Sequence, residues 1–253
     1  MEINDMVRKS IITSLLFAVI FVAGVKNSNV QAIDKTTIVT NSSFLTEAEM
    51  IYQKLKINPT VSVPSWEAFS KAMKGFNNLK NTSEKIKKNI LSVVDFSLPS
   101  TEKRFWVIDL DNNKVLFNDY VAHGRNSGNN LASKFSNIPS SYSSSLGFYL
   151  TAETYHGKHG LSLRLDGMDK GFNDNARKRA IVMHGADYVS SDFIKKYGRL
   201  GRSLGCPSVS MDIHEDVINT IHGGSVMFIY SSDNNFLTKS QVLNPAEDVV
   251  ADI

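Results

Sequence analysis

Short apolar segments separated by turn signals run from Phe96 to Ser232 and constrain the fold more than any other feature. Phe105–Leu110 and Val115–Phe117 flank Asp111–Lys114, whose asparagines tolerate the positive φ of a tight turn, so a hairpin is predicted. Further strands are predicted at Leu146–Tyr155, Leu161–Leu165, Ala180–His184 and Ser225–Tyr230. Because these strands are short and joined by hairpins, they predict a mainly β fold, either a sandwich or a barrel.

Two short helices are predicted to interrupt these strands. Ser191–Tyr197 ends at Gly198, and Asp212–His222 ends at Gly223 and Gly224. Glycine readily adopts the left-handed conformation that commonly follows a helix, so the sequence marks both helix ends.

A small helical segment is predicted ahead of the strands, over residues 44–95. Ser65 is placed to cap a helix whose apolar residues recur at helical spacing: Trp66, Phe69, Met73 and Phe76. A further helical stretch is predicted from Ser83 to Val94. The segment carries no recognisable chemistry. It is interpreted as a module packed on the main domain, with wall or partner binding as the alternative.

The N-terminus has the pattern of a secretory signal. Arg8 and Lys9 precede the apolar run Ile11–Val25, which is shorter than the roughly 20 residues that a spanning helix needs. Val30–Ala32 resembles a small-residue cleavage site, so cleavage after Ala32 is predicted, with an uncleaved anchor as the alternative. Either outcome places the rest of the chain outside the cytoplasm, and cleavage leaves no stable membrane span.

A single cysteine and a mild positive charge narrow the possible functions. The formal charge is +3, and the basic clusters are short and lack interleaved aromatic residues, which argues against a nucleic-acid partner. Exported proteins usually hold cysteines in pairs as disulfides, whereas Cys206 has no second cysteine to pair with. The thiol is therefore either inert and buried or retained for chemistry.

Cys206 sits in the glycine-flanked stretch Gly201–Ser208. Glycines permit a tight turn, and consecutive backbone N–H groups in such a turn can converge on an oxyanion. Arg202 adds a nearby cation, which favours the thiolate. The local context therefore predicts a nucleophile, with a buried structural cysteine as the alternative.

A cysteine nucleophile needs a base, and two of the six histidines end an apolar strand and precede a glycine. His184 is the better placed by sequence, and His123 is its rival. His156 and His159 fall in a predicted hairpin turn, face solvent in this interpretation, and lack a third ligand at a recognisable spacing. No metal site is therefore predicted, and no cofactor.

The pairing of Met183–Ala186 with Gly201–Pro207 resembles the L,D-transpeptidase catalytic domain, and more narrowly the murein L,D-transpeptidase catalytic domain family. Further stretches fit the same resemblance: Phe105–Leu110, Val121–Arg125, Ser143–Phe148, Gly160–Gly167 and His184–Tyr188. The resemblance covers roughly residues 95–232. The chain thus divides into a signal peptide at 1–32, a linker and helical segment at 33–95, an L,D-transpeptidase-like catalytic domain at 96–232, and a polar, loose tail at 233–253.

The resemblance implies Cys206 as nucleophile, His184 as base, and the carbonyl of Gly185 as the group that orients the imidazole. Many relatives carry a histidine two residues before the cysteine, where this chain has Leu204. His123 is a candidate to stand in for it, unless its role is structural. Oxyanion or substrate contacts are expected from Gly205, Ser203 and Arg202, although the last two could equally shape the loop.

The implied reaction is acyl transfer on peptidoglycan stem peptides. Cys206 forms a thioester with the L-centre of a stem, D-alanine leaves, and an amine of a neighbouring stem takes the acyl group. Attack by water instead would make the enzyme an L,D-carboxypeptidase. Another cell-wall cysteine peptidase, or a wall-binding protein without catalysis, remains an alternative at this point.

Overall fold

The structure is a computed structural model that describes residues 47–246. The predicted signal peptide at 1–32, the predicted linker, and the end of the predicted tail at 247–253 lie outside the described residues. Among the helices of the described part, none combines the length and the apolar character that crossing a membrane requires.

Eight strands form one sheet in the order β3-β2-β1-β8-β4-β5-β6-β7. The pairs β1–β8 and β6–β7 are parallel, and the others are antiparallel. The strands are β1 (Ile90–Asp95), β2 (Phe105–Asp109), β3 (Lys114–Asp119), β4 (Gly147–Gly157), β5 (Gly160–Gly167), β6 (Val182–Gly185), β7 (Ser208–Val209) and β8 (Val226–Tyr230).

The two ends of the sheet nearly meet, which places β7 beside the end of β3. Ser208 of β7 bridges Ala122, a few residues beyond β3, and the Ala122 N–H donates to the Ser208 carbonyl at 2.8 Å. A second bridge joins Gly124 to Ser203. The prediction of a mainly β fold is confirmed, with a nearly closed sheet as its form.

Five helices accompany the sheet in the described residues: α1 (residues 47–55), α2 (Trp66–Thr82), α3 (Ser191–Tyr197), α4 (His214–Ile221) and α5 (Asn234–Lys239). The two short helices predicted between the strands, α3 and α4, are both present. Gly198 ends α3 with a φ of 71°. Gly223, beyond the end of α4, has a φ of 74°. Both glycines take the left-handed conformation that the sequence predicts.

The predicted helix capped by Ser65 is α2, and it shares one core with the sheet. The Ser65 hydroxyl accepts from the Ala68 N–H, and the buried face of the helix includes Phe69, Met73 and Phe76. This face packs on β1 and β8. The Trp106 indole N–H on β2 also donates to the Ser62 carbonyl at 3.0 Å, tying the segment before α2 to the sheet.

The helical stretch predicted from Ser83 to Val94 is wrong, because β1 occupies its second half. Leu91, Val93 and Val94 have no exposed surface, and β1 lies between β2 and β8. A strand buried on both faces is apolar at consecutive positions, which can be mistaken for one face of a helix. The β-rich domain therefore begins at β1 and not at residue 96.

The predicted loose tail is wrong over residues 233–246, which fold back onto the core. Asp233 caps α5, and Phe236 of α5 is fully buried. The Ser240 hydroxyl donates to the buried carboxylate of Asp169, and the Asn78 side chain on α2 donates to the Val242 carbonyl at 2.8 Å. One buried aromatic ring and two long-range hydrogen bonds hold the segment in place.

Candidate active site

The neighbouring strands β6 and β7 place His184 and Cys206 along one cleft. His184 on β6 pairs in parallel register with Ser208 on β7, and Cys206 lies two residues before Ser208. Because His184 and Ser208 are opposite each other on the two strands, their side chains share a face of the sheet. Cys206 lies in the bend just before β7. Cys206 and His184 both line a cleft of about 540 Å³.

The imidazole of His184 is fixed as one tautomer. Its Nδ1 lies 2.8 Å from the carbonyl oxygen of Gly185, and because a carbonyl can only accept, Nδ1 carries the proton. Nε2 is then an acceptor, and it receives the hydroxyl of Ser208 at 3.0 Å. Burial lowers the pKa of His184 below its usual value, so the ring is neutral near pH 7. The Gly185 contact has the geometry that the resemblance implies.

The thiol of Cys206 is half-buried and turned toward a carbonyl. Its Sγ donates to the Ala180 carbonyl at 3.8 Å. Burial raises the pKa of the thiol, while the backbone N–H of Val182 and the cations of Arg179 and Lys158 oppose that rise. Burial therefore favours the neutral form of the Cys206 thiol and of the His184 imidazole.

The turn that presents Cys206 is closed by Ser203. The Ser203 hydroxyl donates to the Cys206 carbonyl at 2.6 Å and accepts the Gly205 N–H at 3.0 Å. The Gly205 N–H is therefore already engaged, and this part of the expected oxyanion pair is not free. Gly205 has a φ of +123°, and a Cβ there would lie 2.8 Å from the Ser143 carbonyl, so only glycine fits.

Arg202 and Leu204 also border the cleft. Arg202 lines it and donates from Nη1 to the Gly128 carbonyl at 3.0 Å, which anchors the turn to the 125–128 loop. Leu204 lines the cleft with 53% of its surface exposed. At the position where many relatives carry histidine, this chain thus places an exposed apolar side chain two residues before Cys206.

His123 is not among the residues that line the cleft. It is fully buried, and Arg104 Nη2 donates to its Nδ1 at 2.8 Å. The proton of the ring is therefore on Nε2, which faces the Gly128 carbonyl at 3.4 Å. Burial and the adjacent Arg104 lower the pKa of His123 to about 4. The structure thus separates His123 from Cys206.

Several residues at the cleft are not identified by the sequence analysis. His159 stacks on His184 with ring centroids 4.3 Å apart, although its own ring is exposed as predicted. The Ser208 hydroxyl contacts Nε2 of His184, and the Tyr188 hydroxyl lies 3.2 Å from the Ser208 hydroxyl. No local pattern in the sequence marks them, since strand register brings Ser208 opposite His184.

Two motif glycines make room for side chains around the site. A Cβ on Gly201 would lie 2.3 Å from the Tyr188 Cβ, and a Cβ on Gly185 would lie 2.7 Å from the His214 ring. Both glycines are therefore steric requirements and not only turn formers. Within residues 47–246, no three His, Cys, Asp or Glu side chains are grouped as metal ligands would be.

A thiol in the turn before β7 and an imidazole on β6, with the imidazole oriented by a carbonyl, are the components of a cysteine-dependent acyl-transfer site. The chain belongs to the L,D-transpeptidase catalytic domain family, whose sequence model matches residues 62–230. That match includes α2 and β1, which the sequence analysis places outside the resemblance.

Solved structures of L,D-transpeptidases are similar to this chain at low identity. One from Mycobacterium smegmatis is 14% identical over 57% of this chain and 59% of its own, with a TM-score of 0.35. One from Mycobacterium tuberculosis is 13% identical over 57% and 58%, with a TM-score of 0.38. One from Enterococcus faecium is 12% identical over 57% and 50%, with a TM-score of 0.33. This chain thus spans between half and three fifths of those relatives. No curated protein matches the sequence.

Proposed function

We propose that the chain is a peptidoglycan L,D-transpeptidase whose nucleophile is Cys206 and whose base is His184. The observation that carries the proposal is the placement of both side chains along one cleft, in a chain of the L,D-transpeptidase family. The peptidoglycan substrate lies outside the cytoplasm. The proposal therefore places the enzyme in the cell envelope, in agreement with the signal pattern predicted at residues 1–32.

In the proposed reaction, the thiol loses its proton to Nε2 of His184 as Sγ attacks the carbonyl at the L-centre of a donor stem. The Cys206 N–H, which has no acceptor within residues 47–246, is available to the oxyanion, and one such donor stabilises it by roughly 3 kcal/mol. Breakdown of the tetrahedral intermediate breaks the C–N bond, and the imidazolium protonates the departing D-alanine. An acceptor amine then loses a proton to His184 and displaces the thiol.

The charge of the cleft suits an acidic peptide. Three of its described lining residues are cations, Lys158, Arg179 and Arg202, and none is an aspartate or a glutamate. Arg179 donates to the carbonyls of Ser136 and Ser143, both at 2.7 Å, which fixes its guanidinium beside the cysteine turn. A stem peptide that ends in a carboxylate is therefore attracted to the reacting thiol.

The test is incubation of the protein with disaccharide-tetrapeptide muropeptides, followed by mass spectrometry. We expect loss of D-alanine and a dimer cross-linked between the third residues of two stems. Loss of D-alanine without a dimer would show an L,D-carboxypeptidase instead. No change in the muropeptides would contradict both, and cleavage at another bond would identify a different wall peptidase.

The Cys206→Ala variant is the matched control, and we expect its activity to fall at least about a thousandfold without a change in thermal stability. One matched structure is an L,D-transpeptidase in complex with imipenem. We therefore expect imipenem to add covalently to wild-type Cys206 and not to the variant.

A further inference from the structure

Two hydroxyl groups connect the base nitrogen of His184 to the cleft. Ser208 Oγ lies 3.0 Å from His184 Nε2, and Tyr188 Oη lies 3.2 Å from Ser208 Oγ. Ser208 is fully buried, whereas Tyr188 lines the same cleft as Cys206. The three groups form one hydrogen-bonded chain that begins at the base and ends where a substrate binds.

Each member of this chain is held in position by its backbone environment. Ser208 is directly opposite His184 in the β6–β7 register. The Tyr188 side chain covers the bare backbone of Gly201, where any Cβ would clash with it. Because Nδ1 of His184 is committed to the Gly185 carbonyl, only Nε2 can gain or lose a proton.

The thiol, by contrast, is not hydrogen-bonded to His184. Within the described residues its hydrogen-bond acceptor is the Ala180 carbonyl, and Ser208 occupies the acceptor position of Nε2. No direct hydrogen bond in these residues carries a proton from Cys206 to His184, and the two hydroxyls between Nε2 and the cleft offer a path. Hydroxyls are suited to the task, since each one both donates and accepts.

We propose that Tyr188 and Ser208 form a proton relay between the cleft and Nε2 of His184. The inference rests on the proposed acyl transfer. As Sγ bonds to the acyl carbon, the thiol proton passes to Tyr188 Oη, the Tyr188 proton to Ser208 Oγ, and the Ser208 proton to Nε2. The same path in reverse delivers a proton to the leaving amine as its C–N bond breaks, so both hydroxyls are restored.

The test is Tyr188→Phe, which removes the hydroxyl and keeps the ring against Gly201. We expect kcat for D-alanine release to fall about a hundredfold, the low end for loss of general acid–base catalysis, with KM within about twofold. Ser208→Ala should show the same split between kcat and KM. The rates are also measured in mixtures of H₂O and D₂O. The wild-type rate should vary with the deuterium fraction along a curve, because several protons move together. The Tyr188→Phe rate should vary with it along a straight line.

Tyr197→Phe is the matched control, because Tyr197 is 52% exposed on α3 and does not line the cleft. It should retain the wild-type kcat. A Tyr188→Phe kcat within about threefold of wild type, or a straight wild-type deuterium dependence, would overturn the relay while leaving the transpeptidase proposal intact. A wild-type enzyme that reacts with neither muropeptides nor imipenem would overturn both.

Discussion

His123 and His184 have nearly the same local sequence, and the structure gives them opposite environments. Each follows an apolar segment and precedes a glycine. His184 donates from Nδ1 to the Gly185 carbonyl, and its Nε2 accepts a hydrogen bond from the Ser208 hydroxyl. His123 accepts from Arg104 at Nδ1 and holds its only proton on Nε2, away from the cleft.

The difference shows that the partner of Nδ1 decides what a histidine can do. A carbonyl on Nδ1 leaves Nε2 as a base and stabilises the imidazolium that forms when it takes a proton. A guanidinium on Nδ1 removes the basic nitrogen and repels a second positive charge. Arg104 is itself fully buried and donates to the Leu98 and Val121 carbonyls, so His123 belongs to a structural network.

The largest effect expected from this comparison is the loss of catalytic rate when His184 is replaced. His184→Ala should lower the rate of Cys206 acylation by imipenem about a thousandfold, since it removes the proposed general base. His123→Asn, which keeps an oxygen acceptor for Arg104, should remain within about threefold of wild type. Acylation is followed by mass spectrometry of the intact protein, with circular dichroism to verify folding. A greater loss in the folded His123 variant would reverse the assignment of the base.

The second prediction concerns stability against pH. The pKa of His123 is about 4 in the folded protein, against roughly 6.5 in an unfolded chain. Between these values the unfolded state binds a proton that folded His123 does not, so stability falls as the pH falls from about 6.5 to about 4. This one group accounts for about 3 kcal/mol.

Urea unfolding of the wild type and of His123→Asn at about pH 7 and about pH 4 measures that contribution. The variant lacks the titrating ring, so its stability should fall less on acidification by about the same 3 kcal/mol. Other groups titrate equally in both proteins and cancel. Equal losses in the two proteins would show that His123 carries no such penalty.

The smallest predicted effect is at Leu204, which stands where many relatives carry a histidine. Leu204→Ala should lower kcat/KM about tenfold, because a half-exposed leucine contributes roughly 1.4 kcal/mol of apolar contact to a bound stem. Leu204→His should give no large gain, and the pH dependence of Cys206 alkylation should not change in either variant. A strong gain with a lowered thiol pKa in Leu204→His would mean that the site benefits from an ionic partner at this position.

The sequence predicts the candidate reacting residues of the site better than it predicts the residues that hold them in position. Cys206, His184 and the intervening α3 follow from glycine spacing, strand ends and caps, which are local signals. The roles of Ser208 and Tyr188 depend on strand register and on a side chain packed over Gly201, and neither leaves a local pattern. The same reason accounts for β1 and α5, since burial between two strands and docking through Phe236 are decided by distant parts of the chain.

The seam of the sheet, where Ser208 meets Ala122, determines when the thiol acquires its partners during folding. Residues far apart in the chain meet there, and such non-local pairings are slow to form. The short strand β7 supplies both the bridge to Ala122 and the register with His184. Until it is in place, Cys206 is an ordinary thiol without a base or a cleft. Competence for acylation is therefore a property of this seam, and its recovery during refolding should report when β7 pairs with β6.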